Sequence, residues 1–363
     1  MEEVLFQSRI AGIRKLFSEE GVDSFLVTRP ENRYYLTGFT GTSGAALING
    51  REVVLITDFR YEQQSSIQCP HCRVVMVKET ILDTVSHLAE DMDFKILGCE
   101  GDYLTYSQYN ILKDKLPGRE VKPVSGCVES LRSVKDCSEL EKISRAVDLS
   151  DRAFEHILPL MGDGVKEIDV ALELEFFMRK NGAEGIAFQI IVASGHRSSM
   201  PHGTASERIM RRGDLVTMDF GALLEGYHSD ITRTVVIGRP DRRQEEIYGI
   251  VLEAQLTGIK TIRAGVTASE VDRASRSVIE GRGYGGQFGH STGHGLGLSI
   301  HENPRLSSRD NTILKPGMVV TVEPGIYIPG WGGVRIEDTV LVEEKGCRVF
   351  TKSPKDSLIA CGS

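Results

Sequence analysis

Four acidic residues stand where strand patterns call for apolar side chains. Asp219 lies inside the apolar run LVTMDFGAL, and Asp230 begins the returning run DITRTVVI. Glu323 follows the apolar run VVTV, and Glu337 lies within the returning run VRIEDTVLV. Aspartate is disfavoured inside strands, and a buried carboxylate without a partner is costly. Each of two predicted hairpins therefore carries two acids on opposed strands.

A glycine-rich segment with three histidines separates these hairpins. The run GHSTGHGLGLSIHENP, from Gly289 to Pro304, contains His290, His294 and His301, three of the nine histidines in the chain. Glycines let the backbone approach a ligand closely because no side chain intervenes. We expect one of these histidines to join the acids and the others to line the space above them.

The four acids favour a metal site over separate ion pairs. A single strand-end acid could pair with an arginine, and Arg233 and Arg335 are available for that. Four clustered carboxylates, however, carry about four negative charges that repel strongly in a low-dielectric cavity, and two divalent cations balance that charge. Oxygen ligands with one imidazole suit Mn²⁺, Co²⁺, Fe²⁺ or Zn²⁺, and two such ions activate water. The residues therefore predict a two-metal hydrolase.

Helices and strands alternate in the part of the chain that carries these residues. The acidic hairpins, 214–238 and 318–343, look like counterparts in two halves of one domain. A further strand is predicted at GIAFQIIVAS. Helical spacing predicts helices over about 138–160, 166–180, 243–263 and 267–281, with capping boxes at Asp136–Glu139 and Thr267–Glu270.

The first third of the chain reads as a separate, smaller α/β unit with a mixed sheet. Apolar residues at helical spacing precede Gly21, and short strand-like runs follow at 24–29, 45–50, 52–59 and 73–77. A charged segment near 125–135 marks the join. We therefore expect an N-terminal α/β domain over residues 1–128 and a C-terminal catalytic domain over residues 129–363.

Composition excludes several classes of protein. The formal net charge of −8 over 363 residues argues against nucleic acid or an anionic membrane as a partner. No apolar run approaches the roughly 18 residues of a membrane span, and the acidic N-terminus does not resemble a signal peptide. Seven scattered cysteines suggest free thiols in a reducing cytoplasm. Cys69 and Cys72 could form half of a zinc site, but no second half follows, which favours ordinary thiols.

The acidic motifs resemble those of the pita-bread metallopeptidases, which include methionine aminopeptidase, aminopeptidase P and prolidase. The motifs are MDFG, SDITRT, GHGLG, VEPGIY and VRIEDT, and they place five residues in the order of that family's metal ligands: Asp219, Asp230, His294, Glu323 and Glu337. The resemblance spans about residues 140–355. It extends weakly to the N-terminal stretch RPENRYYLTGFTGTSGAALI, which is similar to the matching domain of prolidases and aminopeptidases P.

The resemblance implies two divalent metal ions per subunit, Mn, Co or Zn with Mn favoured, held by those five side chains. Asp230 and Glu337 would bridge the ions, and His294 would cap one of them. Glu323 would also accept the proton of the attacking water and pass it to the leaving nitrogen.

The resemblance also implies roles for five further residues. His202, in SMPHG, would contact the substrate and protonate or orient the leaving group, and His301 would hydrogen-bond the scissile carbonyl. His290 would line the pocket, and Arg335 would orient Glu337 or Asp230 or meet the substrate. Arg305, in HENPR, resembles the arginine that binds the substrate carboxylate in some prolidases.

The N-terminal domain favours enzymes acting on an Xaa-Pro bond, because methionine aminopeptidases usually lack such a domain. Arg305 favours a dipeptidase (prolidase), and the alternative is an aminopeptidase P acting on longer peptides. Relatives are commonly dimers, which implies a homodimer. A metal-free creatinase-like hydrolase or a non-catalytic binding module would have lost metal ligands. A serine hydrolase is disfavoured because no G-x-S-x-G motif is present.

Overall fold

The computed structural model describes residues 2–362, which form two compact α/β units. The contact pattern divides them between Arg132 and Ser133. None of the helices in the described range is long and apolar enough to cross a membrane.

The first unit contains one mixed six-stranded sheet, as the sequence predicts. Its helices are α1 (Glu2–Glu20), α2 (Pro30–Thr37), α3 (Glu62–Gln68), α4 (Ile81–Asp91), α5 (Tyr106–Lys115) and α6 (Cys127–Arg132). Its strands are β1 (Ser24–Val27), β2 (Ala45–Asn49), β3 (Val53–Thr57), β4 (Arg73–Met76), β5 (Ile96–Glu100) and β6 (Glu120–Val124). The sheet order is β4-β3-β2-β1-β5-β6, with antiparallel β1–β2 and β2–β3 pairs and parallel pairs elsewhere.

The central strands of this sheet are mostly apolar, and both of their faces are covered. Every residue of β1, β2 and β3 is buried. Continuous apolar runs of this kind are typical of strands buried on both faces. Gly21, with φ +64°, follows α1 where the sequence predicts the helix to end.

The second unit contains the predicted acids and histidines. Its helices are α7 (Cys137–Ile157), α8 (Glu167–Lys180), α9 (Arg242–Thr261) and α10 (Ala268–Gly281). Its first strands are β7 (Gly185–Ile186), β8 (Ile191–Ser194), β9 (Leu215–Phe220), β10 (Ala222–Leu224), β11 (Tyr227–His228) and β12 (Ile231–Ile237). The later strands are β13 (Gly293–Gly295), β14 (Glu302–Leu306), β15 (Val319–Val322), β16 (Gly325–Ile328), β17 (Gly332–Arg335), β18 (Asp338–Glu343), β19 (Gly346–Val349) and β20 (Ile359–Cys361).

Each half of this unit consists of a helix pair followed by an antiparallel hairpin within a sheet. In the first half α7 and α8 pack on the sheet β20-β12-β9-β8 through one apolar core. In the second half α9 and α10 precede the sheet β14-β13-β15-β18-β19. The hairpin partners are β9 with β12 and β15 with β18.

Four predicted strands are interrupted in the structure. One is the run LVTMDFGAL, which forms β9 and β10 in different sheets with Gly221 between them. The stretch GIAFQIIVAS forms β7 and β8, which belong to different sheets, and residues 187–190 between them are not strand. The acidic strands of the second half break in the same way at Glu323 and at Glu337. The expectation that Glu337 lies within a strand is therefore wrong: it lies in the gap between β17 and β18, where the chain passes from one sheet to another.

Both predicted capping boxes are present. Asp136 and Glu139 cap α7 reciprocally, and Thr267 and Glu270 cap α10. At α10 the Thr267 hydroxyl accepts a hydrogen bond from the Glu270 amide at 3.3 Å, and the Glu270 carboxylate accepts one from the Thr267 amide at 2.7 Å. The caps satisfy amide groups that a helix leaves unpaired at its first turn.

We expect Thr267→Ala to lower the free energy of unfolding by about 1 kcal/mol, because the cap is lost. Urea denaturation of wild-type and variant protein measures the difference. Thr267→Ser retains a hydroxyl and is the matched control, with an expected loss of only a few tenths of a kcal/mol. An equal loss from both variants would show that the hydroxyl does not carry the effect.

Candidate metal centre

The two hairpins of the second unit hold the four acids at strand ends. Asp219, in β9, lies directly across from Thr232 of β12, and Asp230 immediately precedes β12. In the second half Val322 pairs with Asp338, so Glu323 and Glu337 occupy the adjoining positions just beyond this pair. The hairpin register therefore places Glu323 opposite Glu337 in the second half and Asp219 diagonal to Asp230 in the first.

His294 joins the acids from a neighbouring strand. It lies in β13, which pairs with β15, and its Nε2 atom is 3.4 Å from Asp230 Oδ2 and 3.5 Å from Glu323 Oε1. Its Nδ1 atom lies 3.0 Å from the carbonyl oxygen of Gly295, which accepts the Nδ1 proton in the neutral ring. This hydrogen bond leaves the Nε2 lone pair directed at the acids, as a metal-ligating histidine requires.

Asp230, His294 and Glu337 already form a ligand cluster. Each offers one ligand atom, and these atoms all lie within 4.8 Å of one another. All three residues are buried. The Glu337 carboxylate also accepts a hydrogen bond from the Thr232 hydroxyl at 2.7 Å, which fixes one of its two oxygens.

The buried acids repel one another. Burial and the nearby charges of Asp219 and Glu323 raise the pKa of Asp230 well above its usual value. Burial and the charges of Asp230, Glu323 and Asp219 do the same to the pKa of Glu337. The pKa of Glu323 is also raised, chiefly by burial. Without a cation, the protein therefore favours protonated acids over four charged ones.

Among the described residues, one acid of the four has an arginine as a side-chain partner. Arg335 donates to Asp219 Oδ2 at 2.7 Å, and it reaches Glu337 only indirectly, by donating to the Thr232 hydroxyl. Arg233 instead donates to Asp338 and to the backbone carbonyl of Glu337. The two arginines therefore give the four acids one ion pair, and most of the negative charge of the acids remains unbalanced.

Two buried carboxylate oxygens indicate that these side chains fit divalent cations as ligands. Asp219 Oδ1 and Glu337 Oε1 are inaccessible to solvent and have no hydrogen-bond partner within the described residues. A buried acceptor without a donor is costly, and a cation satisfies it. Carboxylate oxygens together with one imidazole nitrogen suit Mn²⁺, Co²⁺, Fe²⁺ or Zn²⁺.

All ten residues that the sequence singles out line one cavity of about 520 Å³. They are Asp219, Asp230, His294, Glu323, Glu337, His202, His290, His301, Arg305 and Arg335. Its other walls include the apolar side chains of Phe188, Ile191 and Ile300. Phe188 comes from the break between β7 and β8, where the sequence predicts a continuous strand.

Tyr327 connects the accessory residues to the acids, and the sequence did not single it out. Arg335 donates to the Tyr327 hydroxyl at 2.7 Å, and that hydroxyl lies 2.9 Å from His290 Nε2. A hydrogen-bonded chain therefore runs from His290 through Tyr327 and Arg335 to Asp219. The motif GIYI shows only an apolar strand, so the tyrosine reads as a core residue. For Thr232 the sequence does indicate a place beside the acids, because side chains alternate along a strand and Thr232 therefore shares a face with Asp230.

Two of the cavity histidines are neutral at physiological pH. Burial, with a smaller effect of Arg335, lowers the pKa of His290 to about 4. Burial and nearby His294 lower the pKa of His301 to about 4. The His301 ring stands edge-on to the His294 ring, with centroids 4.4 Å apart. A neutral imidazole still donates one N–H, so His301 can hydrogen-bond an oxygen beside the acids.

Comparison with known protein families identifies this architecture. Residues 141–344 match the model of metallopeptidase family M24, and residues 9–134 match the creatinase/prolidase N-terminal domain. This chain belongs to metallopeptidase family M24. The M24 match covers the residues of the cavity described above.

Individual M24 relatives match nearly the whole chain. The Xaa-Pro dipeptidase of Pyrococcus furiosus is 41% identical over 354 residues, which cover 97% of this chain and 100% of that protein. The solved structure of an Xaa-Pro dipeptidase from Bacillus anthracis is 50% identical, with a TM-score of 0.96 and coverage of 98% and 99% of the two chains. An X-Pro aminopeptidase structure from Thermotoga maritima is 39% identical, with a TM-score of 0.89 and coverage of 95% and 99%.

The raised pKa values of Asp230 and Glu337 predict a pH dependence of the metal-stripped M24 chain. The pKa of such a carboxyl is about 4 in the unfolded state and higher in the folded state. As pH rises from the lower value to the higher one, the folded protein therefore loses stability. The folded state binds more protons in that window. We therefore expect the Tm of chelator-treated protein to fall as pH rises above the unfolded-state value of about 4.

Excess Mn²⁺ should raise the Tm more at about pH 8 than at about pH 5, because the ligands must lose protons to bind it. Differential scanning fluorimetry measures both shifts. Glu337→Gln is the control: it removes one charge, so the metal-free protein should depend less on pH and respond less to Mn²⁺. An Mn²⁺ shift of equal size at both pH values would contradict the repulsion described here.

Proposed function

We propose that this chain is a two-metal peptidase that hydrolyses the Xaa-Pro bond of dipeptides. The observation that carries the proposal is the buried cluster of acids and one imidazole in a cavity with Arg305 at its wall. Asp219, Asp230, His294, Glu323 and Glu337 would hold the cations. Manganese is the favoured metal, with cobalt and zinc as alternatives. Divalent cations held there supply Lewis acidity, which makes water nucleophilic at neutral pH.

The chain's own side chains would carry out the proton transfers. Glu323 accepts the proton of the attacking water and passes it to the leaving nitrogen, so it acts first as a general base and then as a general acid. Neutral His301 donates to the scissile carbonyl oxygen, whose negative charge grows in the transition state. His202 contacts the leaving proline, and His290 orients the site through Tyr327.

The cavity walls suit proline. A proline nitrogen is tertiary, so a site for it needs no partner for an amide N–H, and the rigid ring needs an apolar surface. Phe188, Ile191 and Ile300 supply such a surface. The 41% identical Pyrococcus furiosus relative and the 50% identical Bacillus anthracis relative are Xaa-Pro dipeptidases, which supports the same specificity here.

Arg305 supports a dipeptidase over an aminopeptidase P. Its backbone amide donates to Asp310 at 2.8 Å, but no group in the described residues accepts a hydrogen bond from its guanidinium. A dipeptide ends in a carboxylate directly after the proline, and a guanidinium binds a carboxylate through two parallel hydrogen bonds. A longer peptide has an amide at that point and gains nothing from the charge.

We further propose that the enzyme acts in the cytoplasm as a homodimer. Seven cysteines without a paired framework suit a reducing compartment, and the net charge of −8 disfavours nucleic acid and anionic membranes. We assign the N-terminal α/β domain to residues 1–128 and the catalytic domain to residues 129–363. Light scattering of the purified chain tests the dimer, and a monomer at working concentration would overturn it.

A comparison of Leu-Pro with its amide, Leu-Pro-NH₂, tests the role of Arg305. Loss of a charge-assisted hydrogen-bonded pair is worth roughly 1.5–3 kcal/mol, so Arg305→Ala should lower kcat/KM for Leu-Pro by about 10- to 100-fold. The amide has no carboxylate, so its hydrolysis should change little. Arg309→Ala, at an exposed arginine outside the cavity, is the matched control and should leave both rates unchanged.

The wild-type enzyme decides between the two peptidase activities in the same assay. Release of proline from Leu-Pro at a higher kcat/KM than cleavage of Leu-Pro-Leu supports the dipeptidase. Efficient tripeptide cleavage with poor dipeptide turnover would instead identify an aminopeptidase P, and an equal effect of Arg305→Ala on acid and amide would remove its assigned role.

A further inference from the structure

His202 reaches the cavity from an irregular segment. The His202 loop, which we define as residues 195–206, connects β8 to the turn before β9 and contains only one short 3₁₀ turn, Gly195–Ser199. His202 itself is exposed to solvent. The hydrogen bonds within this loop are short-range turns, so its anchors to the rest of the unit also decide where His202 lies.

A buried carboxylate joins the two ends of the His202 loop. Glu167, the first residue of α8, is fully buried. Its Oε1 atom accepts hydrogen bonds from the amide and hydroxyl of Ser194 at 2.8 and 2.7 Å. Its Oε2 atom accepts hydrogen bonds from the amide and hydroxyl of Ser206 at 3.1 and 2.6 Å. One carboxylate therefore holds together the residue before the loop and its last residue.

Arg197 extends this connection to the residues beside His202. Arg197 donates one N–H to Glu167 Oε2 and another to the backbone carbonyl of Thr204, the latter at 2.8 Å. The Thr204 amide in turn donates to the carbonyl of His202 at 2.9 Å. Hydrogen bonds between ionised partners are stronger than neutral ones, so the ion pair is the firmest part of this chain.

A second anchor reaches the loop from the acids. Arg335 donates to the carbonyl of Pro201 at 3.2 Å. Arg335 is itself held by Asp219 and Tyr327. The loop is therefore attached to Glu167 and to the acids, in addition to a hydrogen bond from the Gly333 amide to Ser198 Oγ at 2.8 Å and a bridge between Thr204 and Ile191.

We propose that Glu167 is a positioning residue that holds His202 in place over the cavity through Ser194, Ser206 and Arg197. This inference rests on the proposed function, in which His202 contacts the leaving proline. Glu167 does not line the cavity, so it acts only through the loop. Its carboxylate accepts five hydrogen bonds, from both ends of the loop and from Arg197. A carboxylate can do this because both of its oxygens are acceptors, whereas a neutral side-chain amide has only one acceptor oxygen.

A double-mutant cycle tests the proposal in the metal-loaded enzyme. Glu167→Gln replaces one acceptor oxygen by a donor, so kcat/KM for Leu-Pro should fall by at least about tenfold, mostly through kcat, as expected when a reacting geometry is loosened. In a His202→Ala background the same substitution should change kcat/KM by less than about twofold, because the residue being positioned is already absent. An equal fall in both backgrounds would show a general structural role and overturn the proposal.

Asp151→Asn is the matched control. Asp151 is also a buried carboxylate with several donors, and it accepts hydrogen bonds from the amides of Lys352 and Ser353, each at 2.8 Å. It does not line the cavity. Its substitution should lower the Tm while leaving kcat for Leu-Pro unchanged. A fall in kcat as large as that of Glu167→Gln would mean that lost stability alone explains both variants.

Hydrogen–deuterium exchange provides a readout that needs no substrate. The amides of Met200, Gly203 and Thr204 are hydrogen-bonded within the loop, and their exchange should speed up in Glu167→Gln but not in Asp151→Asn. Unchanged exchange in Glu167→Gln would overturn the proposal even if the wild type cleaved no Xaa-Pro dipeptide. Arg197→Met, which cuts the connection to Thr204 and leaves the carboxylate in place, gives the same test if Glu167→Gln does not fold.

Discussion

The repulsion among four buried carboxylates is the constraint on which the second unit depends. Burial and mutual charge raise the pKa of Asp230, Glu323 and Glu337, and the oxygens Asp219 Oδ1 and Glu337 Oε1 have no hydrogen-bond donor in the part of the chain that the structure describes. Arg335 supplies one positive charge, to Asp219. A fold that placed these groups together for stability alone would gain from apolar replacements. Their arrangement makes physical sense as a binding site for divalent cations.

The sheets bring the acids together because their strands end where the acids stand. The chain leaves one sheet at Glu323 and enters another, and it does so again at Glu337. At such a break the backbone no longer forms the hydrogen bonds of the sheet. A carboxylate there can point into the cavity and does not replace an apolar side chain of the core. The hydrogen-bonded chain through Tyr327 and Arg335, together with the buried Glu167, then fixes the side chains around the cavity.

Residue type and spacing were enough to predict the helices of the second unit and the gathering of four acids with a histidine of the glycine-rich segment, whereas the other residues that line the cavity were expected from the family resemblance. Capping boxes such as Thr267–Glu270 carry a local signal, and acids inside apolar runs stand out because they are costly there. The breaks at Glu323 and Glu337 were not predictable, since an apolar run has the same appearance in one sheet or two. Tyr327 and Glu167 were missed for a related reason. A buried polar residue on a strand or at a helix start shows its role only through partners distant in the sequence.

The metal content of the active chain tests the central claim most directly. Purified protein is stripped with a chelator, Mn²⁺ is added back in steps, and bound metal is counted by atomic emission spectrometry while Leu-Pro hydrolysis is followed. The account predicts that activity rises with bound metal and reaches its maximum at two ions per chain. Full activity in chain that retains no divalent metal would contradict it.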